Sequence, residues 1–292
     1  MSMPVMIMHL LLDAWSGRDP GRVPEPDLVM ADPAQVEAYL RAGREDGFFA
    51  HIYFFHVLQT SPLICPGDRV LDLACGPANQ LALMARMHPQ SRFIGVDASE
   101  TMLQRARETA ERLGVSNIEF RQGDMARLDG FADASVDVIV STMALHHLAD
   151  LEHLQQAGLE MRRVLKPDGG LYIVDFGRLK RNGTRNFFSN DRLAKQPPVF
   201  AQDFRHSMAA AFSLNEIEKA FAVFGASIQV HSTLITPFMV AICTGARRTL
   251  EEADRQRLAQ KFSDLTREQR QDFFDFTRLF TRAGYPLACE LG

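Results

Sequence analysis

Arg69-Val-Leu-Asp-Leu-Ala-Cys-Gly-Pro-Ala-Asn79 is the stretch whose reading decides the fold. Val70, Leu71 and Leu73 around Asp72 read as a buried strand, and Asn79 to Met87 reads as an amphipathic helix. Small residues join the two. A strand that turns through Ala and Gly straight into a helix brings backbone close to whatever binds there, because a larger side chain would hold a ligand away. In a doubly wound sheet that turn sits at the carboxyl end of the first strand, where ligands bind. The helix N-terminus behind it favours a negative group such as a carboxylate or phosphate.

The same alternation continues outward. Arg92–Asp97, Ile118–Gln122, Val136–Ser141 and Gly170–Phe176 read as further strands. A helix from Glu100 to Leu113 has Ser99 as its N-cap and Gly114 as its stop, and Asp150 caps another running to about Leu165. Lys166-Pro-Asp-Gly-Gly170 reads as the turn into the fifth strand. Strands alternating with helices of this size imply βαβ units and a parallel sheet covered on both faces. Residues 178–212 show no clear periodicity, after which Ser213-Leu-Asn-Glu216 is a capping box opening a helix to about Phe224. Ser227–Thr233 and Phe238–Thr244 then read as strands. The Thr236-Pro237 break between them is too short for a crossover helix, so this pair should be antiparallel.

The expected fold is therefore α/β, a doubly wound, Rossmann-like, seven-stranded and mostly parallel sheet with an antiparallel last strand. A helical N-terminal cap (1–61), a core (62–245, with an insertion at about 178–212) and a C-terminal helical extension (246–292) are expected along the chain. In the extension Phe273, Phe276 and Phe280 fall at i, i+3 and i+7, a stripe that either packs on the cap or forms a homodimer seam.

Composition excludes several classes. The chain has 292 residues, 46% hydrophobic and 23% charged, which is globular. Thirty-two basic residues against 36 acidic ones give a net charge of -4, which does not suit a coat for nucleic acid or anionic lipid. The four cysteines, Cys65, Cys75, Cys243 and Cys289, have no paired spacing and suit a reducing compartment. The apolar run Met3–Leu12 lacks a basic flank and a cleavage site, and it is too short to span a bilayer. A cytoplasmic protein without membrane or nucleic-acid partners is the expectation.

Three details identify the expected ligand. A dinucleotide fingerprint would continue with glycines after Gly76, but Ala78 and Leu81 stand there, and Pro77 removes an amide a pyrophosphate would use. Asp97, ending the second strand, can accept hydrogen bonds from both ribose hydroxyls. Gly123-Asp-Met125 after the third strand suits an adenine edge, with the Asp124 carboxylate on the exocyclic amine and Met125 against the ring.

Asp72-Leu-Ala-Cys-Gly76, Val96-Asp97, Gly123-Asp124 and Leu165-Lys-Pro-Asp-Gly-Gly170 together resemble the ordered motifs of class I S-adenosylmethionine-dependent methyltransferases over residues 62–244. The resemblance implies S-adenosyl-L-methionine as cofactor and S-adenosyl-L-homocysteine as product. It places Asp72 and Gly76 at the methionine end, Asp97 at the ribose, and Asp124 and Met125 at the adenine. Ala74, Asn79, Ala98, Met102, Gly123 and Ser141 complete the expected cofactor site. The family's first motif is usually D-x-G-x-G-x-G; here Ala74 and Ala78 replace two of its glycines.

Methyl transfer from a sulfonium needs alignment and exclusion of water more than acid–base chemistry. Ser141-Thr-Met-Ala-Leu-His-His147 follows the fourth strand, beside the switch point, so His147 and then His146 are the candidate catalytic residues, as proton acceptors or orienters of the nucleophile. Asp203 and His206 are expected to line the acceptor pocket, with Tyr53 and His56 closing over the methyl donor, while Phe48, Ile52 and Phe55 share a helical face that reads as core. The six basic residues in 178–195, against one acid, suit steering of an anionic substrate. No metal site is expected, since no His/Asp/Glu set with ligand spacing stands near the fourth strand. A small-molecule methyl acceptor is the first expectation. The alternatives are a non-catalytic cofactor-binding regulatory subunit and a nucleic-acid methyltransferase. The latter is disfavoured because Ser141-Thr-Met-Ala lacks the Pro-Pro-aromatic run of amino-methylating enzymes.

Overall fold

The computed structural model describes residues 3–17, 19–30, 32–190 and 198–291. At its centre is a seven-stranded sheet of order β3-β2-β1-β4-β5-β7-β6. The strands are β1 (Arg69–Leu73), β2 (Arg92–Asp97), β3 (Ile118–Gln122), β4 (Val136–Thr142), β5 (Leu165–Phe176), β6 (Ile228–Ser232) and β7 (Met239–Thr244). Strands β1 to β5 pair in parallel, and β7 is antiparallel to both β5 and β6, as expected. Strand order reverses between β1 and β4, so the loops after these two strands face one crevice.

The two-residue period of the strands divides the core between the faces of the sheet. Val70, Phe93, Val140, Tyr172, Val174 and Ala241 point to one side, and Leu71, Ile94, Ile139, Leu171, Ile173 and Ile242 to the other. Helix α4 (Asn79–Met87) keeps the expected bounds and α5 (Glu100–Arg112) ends one residue earlier than expected, with the Ser99 hydroxyl accepting from the Met102 amide. Asp150 caps α6 (Leu151–Val164) through the His153 amide. The Lys166–Gly170 turn proves to be an irregularity within β5: Val136 pairs with Leu165 and Val138 with Gly170, leaving the intervening residues bulged out. The capping box at Ser213 and Glu216 opens α9 (Leu214–Phe221), which ends three residues earlier than expected.

The segment without periodicity is not a loop. It contains α7 (Asn182–Ser189) and α8 (Pro198–Ala210); residues 191–197 lie outside the described residues. The N-terminal region contributes α1 (Met3–Ala14), α2 (Pro33–Ala42) and α3 (Ala50–Thr60), with the irregular segment 19–30 between the first two. Helix α1 docks on α7: His9 stacks on Phe187 at 4.2 Å, and the buried Asp13 carboxylate accepts the amides of Lys180 and Arg181.

The C-terminal chain adds α10 (Glu252–Asp264) and α11 (Arg267–Thr281). Phe273 and Phe280 are fully buried against Phe54 and Phe55 of α3, at ring separations of 5.5 and 5.8 Å. The phenylalanine stripe thus packs on the N-terminal helices and is no longer available as a dimer seam. No described helix is long and apolar enough to cross a membrane.

Candidate functional site

The carboxyl ends of β1, β2, β3 and β4 open on a cavity of about 540 Å³. On the β1–β3 side its wall consists of Ala74, Gly76, Asp97, Ala98, Met102, Gly123, Asp124 and Met125. The turn after β1 is held by its own neighbour: one Asp97 carboxylate oxygen accepts the Gly76 amide at 2.8 Å, and the other accepts the Ser99 amide at 2.8 Å. Burial raises the Asp97 pKa, and the two amides counter part of that rise. Each oxygen retains a lone pair, so the carboxylate can still accept two hydroxyls. Asp124 is fixed similarly, accepting the Ala126 amide at 2.8 Å.

The residues of this wall suit an adenosyl sulfonium. Gly76 has φ +53°, and a Cβ there would meet only the Tyr39 ring, at 3.8 Å, so the turn lies open to the cavity. Ala74 and Ala78, which stand where the family motif has glycine, adopt the left-handed region at φ +57° and +59°. The backbone conformation that glycine serves is thus retained with alanine, at a cost of roughly 1–2 kcal/mol per residue.

Asp72, Asn79 and Ser141 are buried but stand outside the cavity wall. Asn79 Nδ2 donates to the Leu40 carbonyl at 3.2 Å, tying the start of α4 to α2, and the Ser141 hydroxyl donates to the Leu73 carbonyl at 2.9 Å. Burial, reinforced by the Asp97 charge, pushes the Asp72 pKa well up.

The other end of the cavity is built from distant parts of the chain. His146 and His147 form a 3-10 turn after β4, with ring centres 4.4 Å apart. Asp175, near the end of β5, clamps this turn: its carboxylate accepts the amides of Ala144 and Leu145 and the His146 Nδ1 at 2.7 Å. Burial alone would lower the His146 pKa, but the Asp175 charge and hydrogen bond hold it above the ordinary value. His147, without such a partner, is pushed down to about 3 by burial and by the charge of His146. Helix α8 supplies Phe200, Asp203, Phe204, Ser207 and Met208 to the wall. Burial, then the charge of Glu25, raises the Asp203 pKa to about 6.

Above these lie Tyr39, Phe48, Phe49, His51, Ile52 and Tyr53 from the N-terminal region, and Phe276 and Leu279 from α11. Burial raises the pKa of Tyr39 to about 12 and that of Tyr53 well above the usual phenol.

Several expectations are corrected. His56 does not reach the cavity: it is fully buried on the sheet side of α3, with Nδ1 2.8 Å from the Tyr172 hydroxyl, and burial lowers its pKa to about 3. His206 is also off the wall, because the α8 face that lines the cavity carries Asp203 and Ser207 instead. Phe48 and Ile52 line the cavity, whereas Phe55 is core. Phe48 precedes α3, so the three do not share one helical face. In the basic segment, Arg178 is paired with Asp19 and Glu216 and Arg185 is buried, so neither is a free steering charge; Asp191, Arg192 and Lys195 lie outside the described residues. The absence of a metal-type cluster near β4 holds only along the sequence. In space Glu25, His146 and His147 converge.

Asp203 lines the cavity, but Glu25, Tyr39, Asp175 and the rest of the α8 wall have no counterpart among the residues expected from the sequence. Phe200, Phe204 and Met208 do recur at i, i+4 and i+8, a helical signal that the neighbouring polar residues obscured.

Residues 64–244 match the family described as "Methyltransferase domain". An uncharacterized methyltransferase of Bacillus subtilis is 33% identical over 149 residues, covering 51% of this chain and 56% of that protein. A demethylmenaquinone methyltransferase of Listeria welshimeri is 32% identical over 156 residues, covering 53% and 64%. The matches thus span between about half and two thirds of these curated relatives. A solved S-adenosylmethionine-dependent methyltransferase from Aquifex aeolicus shares the fold, with TM-score 0.52, 20% identity, and 73% of this chain and 97% of that one covered.

Proposed function

Because this chain belongs to the methyltransferase-domain family, within the class I superfamily whose cofactor is S-adenosylmethionine, we propose that it moves a methyl group from that cofactor to a small-molecule acceptor. The observation that carries this reading is one continuous cavity. It joins the Gly76/Asp97/Asp124 wall to the His146/His147/Asp203 end and is covered by helices from both ends of the chain.

The cofactor, when bound, supplies an activated sulfonium methyl. The rest of the work falls to the chain. Asp97 and Asp124 would hold the ribose and adenine, and Gly76 leaves the backbone close to the methionine portion. Phe49, Phe176, Phe200 and Phe204 provide an apolar wall that excludes water and grips an apolar acceptor body. His146 and His147, at the carboxyl end of β4, would orient the acceptor's nucleophilic atom in line with the methyl. Because Asp175 takes His146 Nδ1, Nε2 is the ring atom available on the far side. A roofed cavity of this volume suits a metabolite better than a duplex nucleic acid, and the acidic balance agrees.

Incubation with methyl-labelled cofactor and a metabolite extract tests the proposal. It expects one labelled small molecule together with S-adenosylhomocysteine. Tight S-adenosylhomocysteine binding without any labelled product from varied extracts would favour a regulatory subunit. Absence of binding would remove the cofactor assignment.

A further inference from the structure

The methyl-transfer reading does not require the convergence of Glu25 with the two histidines. We propose that Glu25, His146 and His147 form a binding site for a divalent cation of the zinc class at the acceptor end of the cavity. The inference deepens the methyl-transfer proposal, since it gives the histidine pair a means of orienting the acceptor's nucleophile.

One candidate ligand atom from each residue lies within 4.8 Å of the other two. Donors around a tetrahedral ion at about 2.0–2.1 Å stand roughly 3.3–3.5 Å apart, so closure needs side-chain movement of about 1 Å. Glu25 and His146 are 7% and 3% exposed, so this is not a chance cluster of surface acids. Glu25 Oε1 and His146 Nε2 face each other at 3.9 Å, too far for a hydrogen bond. The Nδ1 of His147 is buried without a hydrogen-bond partner.

The surroundings are those that metal ligands require. Asp175 occupies His146 Nδ1 at 2.7 Å, which fixes the ring and leaves Nε2 as the donor, the carboxylate–histidine arrangement found behind bound metals. The Ser207 hydroxyl donates to Glu25 Oε1 at 2.7 Å and orients that carboxylate. Glu25 is carried on an irregular segment that is itself pinned. The Arg22 guanidinium donates to the carbonyls of His146, Leu148, Ala149 and Ala210 and lies over the Phe212 ring at 4.2 Å. Two imidazoles and one carboxylate are a borderline-soft donor set that leaves a fourth position open. Because His146 and His147 line the cavity, that position would face an acceptor oxygen or nitrogen.

The test titrates tag-free, chelator-stripped protein with Co²⁺, without cofactor or acceptor, and follows the visible bands of four-coordinate Co(II). One equivalent should bind, Zn²⁺ should displace it, and Glu25→Gln and His147→Ala should each weaken binding by at least about tenfold. Wild-type protein that takes up no stoichiometric Co²⁺, or variants that bind as tightly as wild type, would overturn the proposal. Should both variants fail to fold, the wild-type Co(II) proton spectrum decides. It should contain a hyperfine-shifted exchangeable N–H from the His146 ring, and its absence overturns the site. S-adenosylhomocysteine titration of the same sample keeps the two readings apart: cofactor uptake without metal binding sinks only this inference, and metal binding without cofactor uptake sinks only the methyl-transfer proposal.

Discussion

The two ends of the cavity are built on opposite plans. The β1–β3 wall is assembled from consecutive strand ends, each residue placed by the sheet a few positions upstream. The histidine end gathers residues 25, 146, 175 and 203 from an irregular segment, a 3-10 turn, a strand end and a helix. Local construction fixes a wall through backbone geometry. Distant construction depends on packing, so the second wall should be the easier to disrupt, and disruption should leave the first intact.

The largest effect should come from the packing that roofs the acceptor end. Phe273→Ala removes a fully buried ring that contacts Phe54 and Phe262, and it should cost about 3–5 kcal/mol of stability in urea unfolding. Among molecules that stay folded, methyl transfer should fall while S-adenosylhomocysteine affinity stays near wild type. Equal loss of both would show that the two walls are not separable.

Asp97→Asn is the reciprocal test. The substitution keeps the shape but removes the charge that receives the Gly76 and Ser99 amides and, by proposal, two ribose hydroxyls. Charge-assisted bonds are worth about 1.5–3 kcal/mol each, so calorimetric affinity for S-adenosylhomocysteine should drop roughly 100-fold. An unchanged affinity would put the adenosine elsewhere.

This contrast also explains what could be read from the sequence. Asp97, Gly123 and Asp124 could be read because each ends or directly follows a period-two strand, where neighbours in the chain are neighbours in space. His56 was misplaced because an aromatic helix shows which residues are apolar, not which stripe meets the sheet. Its Tyr172 partner lies on β5. Asp203 was legible as a lining residue, but the helix that carries it was not, because Asp203 and Ser207 on its inward face imitate the polarity of a solvated segment. Glu25 had no local signal at all. Its place depends on Arg22 finding four backbone carbonyls far along the chain.

His56 offers a smaller, pH-dependent test of the region beneath the roof. The unfolded chain takes up a proton near pH 6.5 that the folded protein resists to about 3. The neutral ring therefore contributes stability above pH 6.5 that is lost as pH falls towards 3. His56→Gln keeps a hydrogen-bonding group near Tyr172 without that titration. The stability difference, wild type minus variant, should shrink by on the order of 1 kcal/mol between pH 7 and 5.5. A difference independent of pH would mean that the folded protein already accommodates the protonated ring.

The smallest effect probes the departure from the family's glycine pattern. Ala74 holds φ +57° beside the cavity, a conformation that costs an L-residue about 1–2 kcal/mol. Ala74→Gly relieves that strain but gives the unfolded chain freedom worth about 0.4–1 kcal/mol. The net expectation is a gain of up to about 1 kcal/mol in unfolding free energy, the reverse of what Gly does at an ordinary position. Loss of the methyl also widens the turn, so S-adenosylhomocysteine should bind at least as tightly as before. A destabilised variant would mean that the turn relaxes away from the left-handed conformation in solution. The β1 wall would then be less rigidly set by its backbone than its local construction implies.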